Sequence, residues 1–302
     1  MMHTMLPQLD MDLDSYEDGT LSPRRKYDSA VISRVGRWTR GSKDAFGNDA
    51  KGGTMDKNRR EVSRRGFLAG IGLGILTANL ARLATAAETG PLKLGMVGAG
   101  REGSVLGALF IKAAHPVLFS SRHPEALQGL VSGLGPLAKA GPVADAIAFG
   151  DVVALVVPYP AIEEIAHAYA GALAQKVLIL DVSNPTARRD GDAFVQRVDA
   201  EGGPGLMTAK LLPGARIVRA FNNLGVGAQL PTFAHRAGDP VGVPIAGDNP
   251  EAITIADRLI REIGFEPVLV GGLAIGRYLV PGTPLAGIHT PAEIRQIAAM
   301  LH

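Results

Sequence analysis

From residue 92 onward the chain alternates short apolar blocks with amphipathic stretches. Residues 92–97 and 115–122 read as two buried strands, 151–157 is a near-continuous run of Val, Ala and Leu, and 176–181, 216–221, 243–246 and 266–270 repeat the pattern. Blocks this short and this uniformly apolar predict strands covered on both faces. Between them, residues 104–113, 125–131, 142–149, 161–173 and 249–263 carry helical periodicity, the last with Asp248 or Asn249 as its cap and Pro250 in its first turn. Strand and helix in alternation predict an α/β fold with a doubly wound, mainly parallel sheet. Ligands of such sheets bind beyond the carboxyl ends of the strands, so the residues that follow each block are the ones to inspect.

The first block runs into Gly98-Ala99-Gly100-Arg101-Glu102-Gly103, and a helical stretch follows at once. That order sets backbone N–H groups and a helix N-terminus against a dinucleotide pyrophosphate. With 38 glycines in 302 residues the bare motif arises by chance, so the strand before it and the helix after it carry the inference. Gly98 permits the tight turn, Gly100 lets the backbone approach the phosphates, and Gly103 lets the helix pack closely on the strand. All six loop residues are candidate cofactor contacts. About 20 residues further on, a carboxylate would hold the ribose 2′-hydroxyl of NAD. Ser120, Ser121 and Arg122 stand there instead. Two hydroxyls and a guanidinium suit a 2′-phosphate, so NADP is the expected cofactor and NAD the less favoured one. The later strand tips are Pro158-Tyr159-Pro160, Ser183-Asn184-Pro185 and Asn222-Asn223-Leu224. Tyr159 is expected to stack on a ring beside Pro158, while Asn184 and Asn222 are expected to hydrogen-bond the nicotinamide carboxamide or ribose.

Upstream, Ser63-Arg64-Arg65-Gly66-Phe67-Leu68 opens a weakly hydrophobic, Gly-rich run that ends in Ala84-Thr85-Ala86-Ala87. The pattern resembles a twin-arginine signal peptide spanning residues 55–87, with cleavage near Ala86 or Ala87 and export to the periplasm. The alternative is an uncleaved membrane anchor, but about 15 apolar residues followed by Arg82 are short for a bilayer span. Residues 1–54 are polar and aperiodic and read either as an upstream translation artefact or as a disordered extension. Residues 88–302 are then expected to form a single dinucleotide-binding α/β domain. Its 17 Lys and Arg against 19 Asp and Glu give a net charge of −2, so the +2 of the whole chain does not point to nucleic acid or an anionic membrane. The chain has no cysteine, which removes disulfides, thiolate metal sites and cysteine nucleophiles together. Its seven histidines show no metal-ligand spacing, and no metal is expected.

The combination of Val97-Gly98-Ala99-Gly100, Ser121-Arg122, Val156-Val157-Pro158-Tyr159, Asp181-Val182-Ser183-Asn184-Pro185, Arg219-Ala220-Phe221-Asn222, Ala246-Gly247-Asp248 and Gly271-Gly272-Leu273 resembles the NADP oxidoreductase family that includes the deazaflavin (coenzyme F-420) dependent enzymes. The resemblance spans residues 92 to about 277. It implies an NAD(P)-binding Rossmann fold, a 2′-phosphate held by Ser121 and Arg122, a pyrophosphate held by the glycine loop, and hydride passing directly between nicotinamide and a second ring, with deazaflavin as co-substrate. Glu102 departs from the apolar residue of that family, so close phosphate contact requires it to point away. The second substrate is a small redox molecule whose wall is expected from residues 271–279, with Arg277 and Tyr278 joining Tyr159 as candidates and residues 280–284 as a rim. No catalytic acid or base is assigned, because direct hydride transfer depends on positioning and exclusion of water. Two classes of function share these features: an exported oxidoreductase that meets the twin-arginine machinery, and an exported dinucleotide-binding partner subunit without turnover. Homo-oligomerisation stays open.

Overall fold

The computed structural model describes residues 90–301 except 225–229, 237 and 239. The signal-like segment, the stretch before it and the expected cleavage point lie outside the described residues. Strand β1 (Leu94–Val97) leads through the glycine loop into helix α1 (Arg101–Lys112), then β2 (Val117–Ser120), α2 (Gln128–Leu134), β3 (Ala138–Gly141), α3 (Val143–Phe149), β4 (Val152–Leu155), α4 (Ala161–Leu173) and β5 (Leu178–Asp181). Three helices follow, α5 (Ala187–Asp190), α6 (Asp192–Ala200) and α7 (Pro204–Leu211), before β6 (Ile217–Arg219) and α8 (Leu230–Phe233). The chain closes with β7 (Gly242–Gly247), α9 (Pro250–Glu262), β8 (Glu266–Gly271), a 3-10 turn at Leu273–Tyr278 and α10 (Pro291–Ala298).

The eight strands form one sheet in the order β3-β2-β1-β4-β5-β6-β7-β8. The expected doubly wound, mainly parallel architecture is present, with one reversal: β7 runs antiparallel to β6, and β8 follows β7 in parallel. The period of two is written into the strands. Leu94, Met96, Val152, Ala154, Leu178 and Leu180 enter one apolar cluster with α1 and α9. Val97, Val153, Leu155 and Ile179 enter a second cluster on the other face, with Ile147 of α3 and Leu173 of α4. Both faces are thus buried, which is why the strands read as continuous apolar runs.

Helix α1 begins three residues before its apolar periodicity does, because Gly100 sits extended at its N-cap and lets Arg101 start the helix. Helix α9 is capped by Asn249, whose side chain accepts from the Ala252 N–H at 2.9 Å. Six elements escaped the apolar pattern: β3, whose Ala-Lys-Ala-Gly sits at the sheet edge, and α5, α6, α7, α8 and α10. His115 fastens the entry of the domain. It is 2% exposed; its Nδ1 accepts from the Leu92 N–H at 2.9 Å and its Nε2 lies 2.8 Å from Oε2 of Glu262 at the end of α9.

Candidate functional site

The glycine loop has the geometry its spacing predicts. Gly98 adopts φ +102°, and a Cβ there would lie 2.2 Å from the Val156 carbonyl oxygen, while a Cβ on Gly103 would lie 1.9 Å from the oxygen of Gly98. Both positions admit only glycine. A Cβ on Gly100 would meet nothing within 4 Å, so that side of the loop is open. No side chain caps α1, and its first-turn N–H groups are left for an anion. This cradle fits a pyrophosphate.

At the tip of β2 the three candidates separate. Ser120 is 1% exposed and accepts from the Gly98 N–H at 3.4 Å, so it fixes the loop and does not offer its hydroxyl to a 2′-phosphate. Ser121 is half-buried, and its Oγ accepts from the His123 N–H at 3.0 Å, shaping the turn that presents Arg122. Arg122 is exposed and has no ion pair among the described residues. Residues 120–124 contain no carboxylate and the next one, Glu125, lies 3.2 Å from His123 Nδ1, a charge arrangement that leaves Arg122 to a 2′-phosphate.

Further along the rim, two expectations are corrected. Tyr159 does not face a ligand: it is fully buried, its hydroxyl donates to the Pro204 oxygen at 2.5 Å and lies 2.9 Å from Thr208 Oγ1, and its ring meets Phe194 edge-on. Burial, with the Asp181 carboxylate nearby, pushes its phenol up. The apolar ring turns inward because α7 supplies both a pocket and an acceptor. Asn184 is also engaged at both ends, donating from Nδ2 to the Asn222 oxygen at 2.8 Å and accepting at Oδ1 from Arg219 Nη2 at 3.1 Å. Its amide therefore shapes the rim. Pro158 is half-buried beside it. Asn222 donates from Nδ2 to the Ser183 oxygen at 3.3 Å and keeps a buried Oδ1 without a partner.

Beneath these loops lies a polar centre that no local spacing announces. Arg219 and Asp181 are both 0% exposed and meet at 2.6 Å. Asp181 also accepts from Thr208 Oγ1 and the Ser183 N–H, each at 3.0 Å, while Arg219 reaches the Ser183 oxygen at 3.1 Å. Burial pushes the Asp181 carboxyl up against the pull of the guanidinium. The pair draws the tips of β5 and β6 and helix α7 together. Just past it Phe221 takes φ +62°, a conformation costly for an aromatic residue, and so turns Asn222 and Asn223.

The expected substrate wall needs a revised path. Because β7 and β8 are reversed, β8 ends at the opposite edge of the sheet, where the Leu273 N–H donates to Asp248 Oδ1 at 3.1 Å. The 3-10 turn then crosses back over the face, with Gly276 against Arg219 and Arg277 over Gly202 and Gly203. Arg277 is exposed and donates from Nε to the Gly202 oxygen at 3.2 Å. Tyr278 is half-buried against the apolar cluster of β8 and α10, and its carbonyl accepts from Leu285. Residues 280–289 return to the rim, where Asn223 and Gly287 exchange two hydrogen bonds. No group of three or more metal-ligating side chains occurs among the described residues.

Known proteins share parts of this sequence and this fold. Residues 93–185 match the family described as NADP oxidoreductase, coenzyme F420-dependent. The metalloreductase STEAP3 of Rattus norvegicus is 28% identical over 191 residues, covering 61% of this chain but only 35% of the metalloreductase. A hypothetical protein of known structure, SMa0349 from Sinorhizobium meliloti, is 28% identical with a TM-score of 0.57, over 67% of this chain and 97% of that one. A structure provisionally named an F420-dependent NADP-reductase, from Arthrobacter sp. FB24, shares the fold at 20% identity and a TM-score of 0.54, over 62% of this chain and 88% of its own. The segment that builds the glycine loop, the Ser-Ser-Arg tip and the next two rim loops is therefore the part of the chain that is similar to the coenzyme F420-dependent NADP oxidoreductases.

Proposed function

We propose that this protein binds NADP along the carboxyl edge of its sheet and passes hydride directly between the nicotinamide and a second redox ring or a small carbonyl or imine substrate. The carrying observation is the open, uncapped glycine loop beside an exposed Arg122 with no carboxylate at the β2 tip. The nicotinamide supplies the hydride. The chain supplies position: the loop N–H groups hold the pyrophosphate, Arg122 and Ser121 hold the 2′-phosphate, and Pro158, Asn184 and Asn222 bound the nicotinamide end. Arg277 and Tyr278 border the second substrate. Export through the arginine pair at residues 64–65 belongs to the same reading, since a protein that folds around its nucleotide in the cytoplasm suits a pathway that moves folded proteins. The test is to load the protein with NADPH and follow the reduced nicotinamide absorbance while adding a deazaflavin, a flavin, a quinone, a carbonyl compound or, given the metalloreductase relative, a chelated metal ion. Oxidation by one of these supports the proposal. Stoichiometric binding with no oxidation by any leaves a nucleotide-holding partner subunit.

A further inference from the structure

Glu102 is the second residue of α1, inside the turn whose free N–H groups face the open side of Gly100. It is half-buried and has no hydrogen bond or ion pair among the described residues. A pyrophosphate seated in this loop would bring a second negative charge to the same turn. We propose that Glu102 sets how tightly the loop holds a dinucleotide, the neutral acid admitting the pyrophosphate and the carboxylate opposing it. The inference rests on the dinucleotide reading above.

The uncapped N–H groups of its turn and the neighbouring Arg101 favour the charged form of Glu102. Burial outweighs the neighbouring Arg101 and raises its pKa from the ordinary 4.5 to about 7. Lys112, the other charge on α1, stands at the far end of the helix. The elements packed most closely on α1, namely β1, β2, α2 and α8, contain no titratable residue. Arg122 and His123 beyond the β2 tip are exposed. A bound pyrophosphate, being a like charge, raises the carboxyl further, so above neutrality binding must take up a proton.

Titration calorimetry of the full chain and Glu102→Gln with NADP, near pH 6 and near pH 8, tests this. One linked proton weakens binding by up to about tenfold per pH unit above the pKa. The dissociation constant of the native chain should therefore rise roughly five- to tenfold more than that of the variant across this range. The 2′-phosphate titrates near pH 6 with both proteins and drops out of the comparison. An unchanged ratio of the two constants overturns the proposal. Proton uptake by the native chain at about pH 8, read in two buffers of different ionisation enthalpy, gives a second check independent of the variant, and zero uptake also overturns it. Absence of binding to NADP and NAD by either protein at either pH is a different result: it overturns the dinucleotide reading itself, and this inference with it.

Discussion

In the proposed complex Arg122 stands at the 2′-phosphate and the titratable Glu102 beside the pyrophosphate. Replacing Arg122 by Ala is expected to weaken NADP binding by about 1.5–3 kcal/mol, the scale of a hydrogen bond to a charged group, and to leave NAD nearly unchanged. Titrating both nucleotides into both proteins decides it, and equal losses would make Arg122 structural. Glu102 also marks the nucleotide-free protein. With its pKa raised to about 7, the folded state keeps a proton that the unfolded state gives up between about pH 4.5 and 7. Its contribution to stability therefore falls as pH rises through that window and is flat above it. Melting curves of the nucleotide-free native chain and Glu102→Gln should differ least near pH 4 and most near pH 8, with the variant melting higher at the alkaline end. A constant difference would count against the buried acid.

Between elements, the contacts that matter are ones that spacing along the chain does not show. Tyr159 ties the β4 tip to α7, so Tyr159→Phe should cost about 1–2 kcal/mol of stability by removing its buried hydrogen bond to the Pro204 oxygen, while NADP affinity stays at the native value. Denaturant unfolding and a binding titration measure the two, and lost affinity with unchanged stability would return the ring to the rim. The strands that bear the site were legible because burial on both faces leaves an unbroken apolar run, and the loop was legible because two of its glycines have no room for a side chain. Which way a rim side chain turns was not legible: Ser120, Tyr159 and Asn184 stand at strand ends as expected, but each spends its polar atoms within the protein. Helix α7 hid because its first turn is Pro-Gly, and Gly205 packs so tightly on Leu273 that a Cβ would lie 2.2 Å from that carbonyl oxygen. Helix α10 did carry a signal, the capping box of Thr290 and Glu293, overlooked amid Pro and Gly. The reversal at β7 depends on pairing partners and has no mark in hydrophobic pattern.

At the scale of the whole molecule, Asp181 and Arg219 lie 38 residues apart in the chain and meet only because β5 and β6 pair in parallel. Arg219→Met should destabilise the domain by about 3–5 kcal/mol, since it leaves Asp181 buried without its cation, and Asp181→Leu added to it should restore much of the loss. Equilibrium unfolding of the single and double variants checks this; an equally damaged double variant would show that shape, not charge, is at stake. For export, Arg64→Lys with Arg65→Lys keeps the charge but removes the arginine pair, and the protein is expected to stay in the cytoplasm. Fractionation of cells and the N-terminal residue of the exported form are the readouts, and an unaltered periplasmic fraction would remove the assignment. The His115 fastening sets where the domain can be cut. A protease that trims the chain anywhere before Leu92 leaves the Leu92 N–H in its acceptor and the ring against Glu262. One residue more, and a buried imidazole loses its backbone partner just before β1 enters the sheet, so trimming should stall at Leu92 and leave a fragment with a sharp, reproducible start.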